Sequence, residues 1–221
     1  MSKVLGVLGG MGPAATVAFL ARVQALTPAD GDADHIRVVM DLNPQVPDRN
    51  TRPGEAEAEL GRMAMRLKAA GAEVLAMPCN TAHAQKPGIV AAGLPFIDMI
   101  AETTAATTAI GAGAVGILAT PGGEALYGAA LTAAGITPVV LQGDDRATFM
   151  ACVYGVKRGD VGVDNRAAMA RLGQALVARG AEAVIAGCTE VPLLLATADV
   201  SVPLVDSAEV LAKACVRACK T

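Results

Sequence analysis

The chain contains a long internal repeat that carries a cysteine in each copy. Gly71-Ala72-Glu73-Val74-Leu75-Ala76-Met77-Pro78-Cys79-Asn80-Thr81 and Gly180-Ala181-Glu182-Ala183-Val184-Ile185-Ala186-Gly187-Cys188-Thr189-Glu190 both lead from Gly-Ala-Glu through an apolar run to a thiol. The copies are offset by 188 − 79 = 109 residues, and the flanks hold nearly the same register. Gly6 corresponds to Gly116 at an offset of 110, while Pro95 and Asp98 correspond to Pro203 and Asp206 at 108. A duplication of this kind confines the fold to two like units, with like elements in like places. It also predicts a pseudo-two-fold relation in which the two thiols face each other across one cleft, suited to moving a proton on both sides of a substrate carbon.

Apolar runs of β-branched character alternate with longer Ala-rich helical stretches. Strands are predicted at 3–8, 36–41, 73–77, 96–98, 114–118, 137–141, 182–186 and 203–205. Helices are predicted at 13–26, 55–70, 81–92, 99–111, 123–134, 145–157, 164–179, 190–197 and 207–219. The alternation implies an α/β fold of two similar domains with mainly parallel sheets covered on both faces. Leu60, Met63 and Leu67 match Met169, Leu172 and Leu176 at the same offset of 109, and their spacing of three and four gives each helix a buried stripe. The one extended coil, 41–54, holds three prolines with Arg49 and Arg52 between them, in a part of α/β folds where ligands often bind.

With 221 residues there is room for two units of the common domain size. Hydrophobic residues make up 53% of the chain but aromatics only 2%, so Ala, Val, Leu, Ile and Met must build the core. A net charge of −3 without any Lys/Arg block argues against nucleic acid as a partner. Lys3 and the apolar stretch after it resemble a signal peptide, but Gly9-Gly10-Met11-Gly12-Pro13 interrupts the stretch, which favours a strand and loop. No apolar run is long enough for a membrane span. Five cysteines, without CxxC or regular spacing, fit a reducing cytoplasm. Cys215 and Cys219 lie four apart on a helix with no histidine near them, which makes a metal site a poor reading, and Cys152 reads as core.

Cys79 and Cys188 each follow a strand and precede a predicted helix, whose N-terminal dipole and open N–H groups would favour thiolate. A thiol pKa near the working pH is what an acid/base catalyst needs. Asn80-Thr81 and Thr189-Glu190 are expected as caps and first-turn residues, whose backbone donors could also hold a substrate carboxylate. Glu190 could orient a substrate ammonium. His83 either tunes Cys79 or is a hydrogen-bonded bystander. The Gly9-Gly10-Met11-Gly12 cluster fails the G-x-G-x-x-G spacing of a dinucleotide site and reads instead as a tight strand-to-helix turn. GxxxxGK[ST], HExxH and GxSxG are absent, which removes support for nucleotide, zinc-protease and serine-hydrolase readings.

At these residues the chain resembles the aspartate/glutamate racemase superfamily, and within it the aspartate racemase branch. The resemblance runs along the whole chain through Gly9–Pro13, Pro44–Arg49, Pro78–His83, Tyr154–Gly159 and Gly187–Pro192. It implies a cofactor-independent racemase that interconverts L- and D-aspartate by a two-base 1,1-proton transfer, with a first domain at 1–99 plus 207–221, a second at 100–206, and the active site between them. On it Cys79 and Cys188 are the acid/base residues. Arg49 and Lys157 match basic positions, and Met11, Asn80, Thr81, Thr120, Thr189 and Glu190 match positions lining the substrate site. After Ala119-Thr120 relatives commonly continue x-Gly-Thr, whereas this chain has Pro121-Gly122-Gly123 and loses a hydroxyl there, which loosens specificity for aspartate. Relatives are often dimers, so a homodimer is among the implied states. The rival readings are a relative acting on another acid (a broad-specificity racemase, a cis–trans isomerase of an unsaturated diacid or a decarboxylase) and a non-enzymatic module binding an acidic metabolite.

Overall fold

The structure is a computed structural model that describes residues 2–220. It has eight strands and eight α-helices among those residues. In chain order they are β1 (Leu5–Gly9), α1 (Pro13–Leu26), β2 (Val38–Leu42), α2 (Pro53–Ala69), β3 (Val74–Ala76), α3 (Lys86–Val90), β4 (Phe96–Ile97), α4 (Met99–Thr108), β5 (Ala114–Leu118), α5 (Pro121–Ala133), β6 (Thr137–Val140), α6 (Asp144–Lys157), α7 (Val163–Ala178), β7 (Ala183–Ala186), β8 (Leu204–Asp206) and α8 (Ser207–Lys220). The strands form two four-stranded sheets of the same order, β2-β1-β3-β4 and β6-β5-β7-β8, and every pairing is parallel. This is the expected α/β class, since parallel strands need helical crossovers.

Residues up to Glu102 together with those from Ala208 onward form one compact unit, and Thr103–Ser207 form the other. Against expected boundaries at 99/100 and 206/207, the crossings fall inside α4 and one residue into α8. At the second crossing the reason is packing: Ala208 belongs to the core of the first unit, while the Ser207 hydroxyl donates to Ala186 in the second.

Side chains of the first sheet alternate between two cores, as the two-residue period of a strand requires. Leu5 and Val7 face α1 and α8, where Phe19, Val23, Leu211 and Cys215 are buried. Leu8, Leu75 and Met77 face α2, whose Leu60, Met63 and Leu67 form the expected stripe. In the second unit Met169, Leu172 and Leu176 of α7 pack with Leu118, Val184 and Phe149. Burying each large apolar side chain contributes about 1.5–3 kcal/mol.

The repeated Gly-Ala-Glu triplet has the same three structural duties in both units. Gly71 and Gly180 take φ of +92° and +95°, the left-handed turn that ends α2 and α7. In that turn the Ala72 and Ala181 N–H groups donate back to Leu67 and Leu176. Ala72 and Ala181 then seat on the glycine of the central strand. A Cβ on Gly6 would lie 2.7 Å from the Ala72 methyl, and one on Gly116 would lie 3.2 Å from that of Ala181. Finally the Glu73 carboxylate accepts from Val4 N–H at 2.8 Å, and that of Glu182 from Gly113 N–H at 2.7 Å.

Two expected helices are not continuous. Residues 81–92 form a 3-10 turn, Thr81–Gln85, followed by α3, because Pro87 lacks the N–H that would bond to His83 and restarts the helix at its own first turn. In place of a helix at 190–197 there is the 3-10 turn Val191–Leu193, with Pro192 in its first turn, and a second 3-10 turn that begins at Thr197. The dipole support expected for each thiol is therefore reduced to a single turn or little more, since the macrodipole needs a run of aligned peptides. No helix among the described residues is long and apolar enough to cross a membrane.

Candidate active site

In the first unit the turn from β1 into α1 brings backbone, not side chains, to the sheet's C-terminal end. Gly10 has φ +97°, and a Cβ there would meet the Asn43 backbone at 2.4 Å. Thr16 locks the turn by accepting from Gly10 N–H and donating to the Gly12 carbonyl, both at 3.0 Å. This fixes Met11 in a buried cluster with Cys79, Val46, Met77 and Ala82. The expected tight strand-to-helix turn thus packs Met11 beside the first cysteine.

The coil 43–52 is held at both ends. Asn43 N–H donates to Gly9 and its amide to Glu59 at 3.0 Å, while its side-chain oxygen accepts from Gln45 N–H at 2.9 Å. Further along, one Asp48 oxygen accepts from the N–H groups of Asn50 and Thr51 at 2.9 Å each. Those bonds hold the Asp48 carboxyl below its ordinary value, against a smaller opposing effect of burial. Between these anchors sits Arg49. One terminal nitrogen reaches the Pro47 carbonyl at 3.5 Å, and its Nε is buried with no hydrogen-bond partner. A buried guanidinium N–H left unpaired costs free energy that an incoming acceptor would recover.

Cys79 lies three residues beyond β3, and its N–H bends back to Met77 at 2.8 Å. Asn80 is buried but makes no side-chain capping bond, and Thr81 opens the 3-10 turn. His83, only 2% exposed, has both ring nitrogens engaged with backbone: Nδ1 lies 2.8 Å from the Cys79 carbonyl, and Nε2 accepts from Met99 N–H at 3.0 Å. The carbonyl can only accept and the N–H can only donate, so the ring must be neutral with its proton on Nδ1. Burial pushes the His83 pKa down, which favours the neutral ring. His83 therefore holds the loop of Cys79 against the start of α4, the bystander role.

In the second unit Cys188 lies two residues beyond β7. Gly187 gives it its seat: a Cβ there would meet the buried Tyr127 ring at 2.9 Å and the Ala119 methyl at 3.1 Å. The Ala119-Thr120 turn is thus pressed against the cysteine loop. Thr120 caps α5, its hydroxyl accepting from Gly123 N–H at 3.4 Å. Pro121 fills the first helical position. The Cys188 thiol donates to the Glu190 carboxylate at 2.9 Å, and the Thr189 hydroxyl approaches the same oxygen at 3.4 Å. All three residues are buried. Lys157, by contrast, is exposed at the end of α6, with its ammonium 5.6 Å from the Tyr154 ring centre.

The first unit thus gathers Met11 and Cys79, flanked by Asn80 and Thr81, with Arg49 on a braced loop. The second gathers Thr120, Cys188, Thr189 and Glu190, and leaves Lys157 at the surface. Sequence reasoning missed the bond between Glu190 and the thiol, although their two-residue spacing in a tight loop was a usable signal. It also missed Tyr127, whose only trace is a lone aromatic opposite an invitingly small glycine. Cys152, Cys215 and Cys219 are buried, and burial pushes their thiols up, most strongly Cys215. No group of three or more metal-ligating side chains occurs among the described residues.

A family model for Asp/Glu/hydantoin racemases matches residues 8–215, and the chain belongs to that family. The broad specificity amino-acid racemase RacX of Bacillus subtilis is 32% identical over 107 residues, which cover 45% of this chain and 47% of that protein. The matched segment is thus about half the length of that curated relative. The aspartate racemase of Picrophilus torridus superposes with a TM-score of 0.83 at 27% identity, covering 97% of this chain and 93% of that one. An aspartate racemase homologue from Pyrococcus horikoshii gives 0.81 at 22% identity, covering 98% of each chain, and shares the fold.

Proposed function

We propose that the protein is an amino-acid racemase that interconverts L- and D-aspartate by 1,1-proton transfer, with Cys79 and Cys188 as its two bases and no pyridoxal cofactor. The observation that carries this reading is topological. The two thiols occupy matching places beyond β3 and β7, each the third strand of an identically ordered sheet. A module that only bound an acidic metabolite would have no use for the second.

The α-proton of an amino acid is a very weak acid, so the carbanion-like transition state must be stabilised electrostatically. Backbone donors of the two cysteine loops, with Asn80, Thr81, Thr120 and Thr189, serve the α-carboxylate, where preorganised donors are worth most. One cysteine, as thiolate, takes the proton from one face of the α-carbon. The other, as thiol, gives a proton to the opposite face, and the configuration inverts. The roles exchange for the other enantiomer. Arg49 receives the side-chain carboxylate through its planar fork, which its unpartnered Nε supports. Lys157 adds a second positive charge from the surface, and Met11 closes the apolar wall beside Cys79.

Incubating L-aspartate and D-aspartate separately with the purified protein alone, followed by chiral chromatography, tests this. Each should approach the racemic mixture. Failure to convert any of a panel of acidic and neutral amino acids would sink the racemase reading. A second reading, a broad-specificity racemase, is supported by the similarity to RacX and by the missing hydroxyl after Thr120. The same panel separates the two, since the first requires aspartate to be turned over fastest.

A further inference from the structure

Glu190 is expected on resemblance to line the substrate site, yet its carboxylate oxygen is already occupied. It accepts from the Cys188 thiol at 2.9 Å and lies 3.4 Å from the Thr189 hydroxyl, and all three side chains are buried. We infer that Glu190 is the positioning residue that keeps the proton on Cys188 in the resting state of the proposed catalytic pair. This inference rests on the two-cysteine reading and adds to it what holds one of the two thiols protonated.

The physical argument has two parts. A carboxylate that accepts a hydrogen bond stabilises the donor's protonated form, and its negative charge opposes a thiolate at the same spot. Both effects raise the pKa of Cys188 and are strengthened by burial, where the effective dielectric is low. Nothing comparable can come from His83 toward Cys79, because both its ring nitrogens are committed to backbone groups and the ring is neutral. Other titratable side chains on elements packed beside the Cys188 loop are Tyr127 of α5, whose ring would abut a Cβ on Gly187, Cys152 of α6 in the same apolar cluster, and Asp206 of β8, in register with Ala186. None of them changes in the variants below.

The inference can be tested without substrate. Wild type, Glu190→Gln and Glu190→Asp are treated across a pH series with a small methylthiolating reagent. The rates at Cys79 and Cys188 are read separately by mass spectrometry of their peptides. Glu190→Gln, which keeps the shape but removes the charge, should lower the midpoint for Cys188 by about one pH unit, roughly a tenfold gain in reactivity near neutrality. The Cys79 midpoint should move much less. Glu190→Asp keeps a carboxylate and should stay close to wild type, which guards against a change due only to altered packing. In turnover, the basic limb of the kcat/KM profile should move down by a similar amount in Glu190→Gln. Because the equilibrium constant of racemisation is one, kcat/KM must stay equal in both directions, and any asymmetry appears in kcat and KM individually. An unmoved Cys188 midpoint in Glu190→Gln overturns the inference, as does an equal shift in the Asp variant. A KM increase for substrate with unmoved labelling overturns it too, and returns Glu190 to the substrate ammonium. If wild type racemises nothing, the proposed function fails, while the labelling still decides the role of Glu190.

Discussion

Beside Cys79, His83 spends both ring nitrogens on the Cys79 carbonyl and the Met99 N–H, whereas beside Cys188 the Glu190 carboxylate takes the thiol's own hydrogen bond. The scaffolds beneath them are alike down to single atoms. Both have a left-handed glycine, an alanine seated on a strand glycine, and a glutamate bonded to an N–H at the start of the central strand. The difference teaches that the duplication is preserved where packing demands it and has diverged around the two cysteines proposed to act on substrate. On the proposed mechanism, a symmetric reaction is run by two thiols that are equivalent in place and differ in their surroundings.

The largest expected effect tests their equivalence in place. Replacing either Cys79 or Cys188 by alanine should cut racemisation at least about a thousandfold, since each removes the proton carrier for one face. Circular dichroism should show both variants folded. Retention of more than a tenth of the wild-type rate by either one would break the comparison.

A smaller effect is expected at the two basic positions, which the structure treats unequally. Arg49→Lys keeps the charge but loses the fork, and should lower kcat/KM for aspartate by about 1–3 kcal/mol, with much less change for alanine or serine. Lys157→Ala should cost less than Arg49→Ala, because the lysine is exposed while the Arg49 Nε is buried and unpaired. Steady-state kinetics on the three variants decides this. An equal loss on every substrate would move Arg49 to the α-carboxylate or to the loop's own structure.

His83 sharpens the contrast through pH. Its folded pKa is depressed below the ordinary 6.5 by burial, so the unfolded chain binds a proton that the native ring refuses. Stability from this group is complete above that pH and is lost as pH falls from there toward the folded value, with a slope of at most about 1.4 kcal/mol per pH unit. Urea unfolding of wild type and His83→Asn should show that slope shrinking in the variant, on top of about 1–3 kcal/mol lost with the buried hydrogen bonds. An unchanged slope would mean the ring is not the neutral bystander described here.

The smallest effect concerns the shared scaffold. Gly71→Ala and Gly180→Ala each force a side chain into the left-handed region and should each cost about 1–2 kcal/mol. Thermal or urea unfolding would measure both. Clearly unequal costs would show that the two repeats are not energetically matched.

Much of the scaffold was legible in the sequence because it is written in short-range patterns. The alternation of strands with amphipathic stripes gave the α/β class, and the stripes at Leu60–Leu67 and Met169–Leu176 are buried as their spacing requires. The two helices after the cysteines were overread. Propensity sees a helical composition over 81–92 and 190–197, but Pro87 and Pro192 limit what the backbone can continue. The candidate site could be proposed from residue types at matching offsets but was illegible as contacts. Nothing in Cys-Thr-Glu announces that the carboxylate turns onto the thiol and not toward a ligand. The fold-back depends on Gly187 seating the loop beneath Tyr127, far away in sequence.

The central claim is that two thiols serve opposite faces of one α-carbon, and isotope placement tests it most directly. L-Aspartate is incubated with the protein in heavy water, and the enantiomers are separated and weighed by mass spectrometry while conversion is still slight. The account predicts that the first D-aspartate formed carries deuterium at the α-carbon, because its new proton comes from the second, solvent-equilibrated cysteine, while the remaining L-aspartate stays protiated. Substantial protium in the new D-aspartate would contradict it, since the original proton would then have been carried across by a single residue serving both faces.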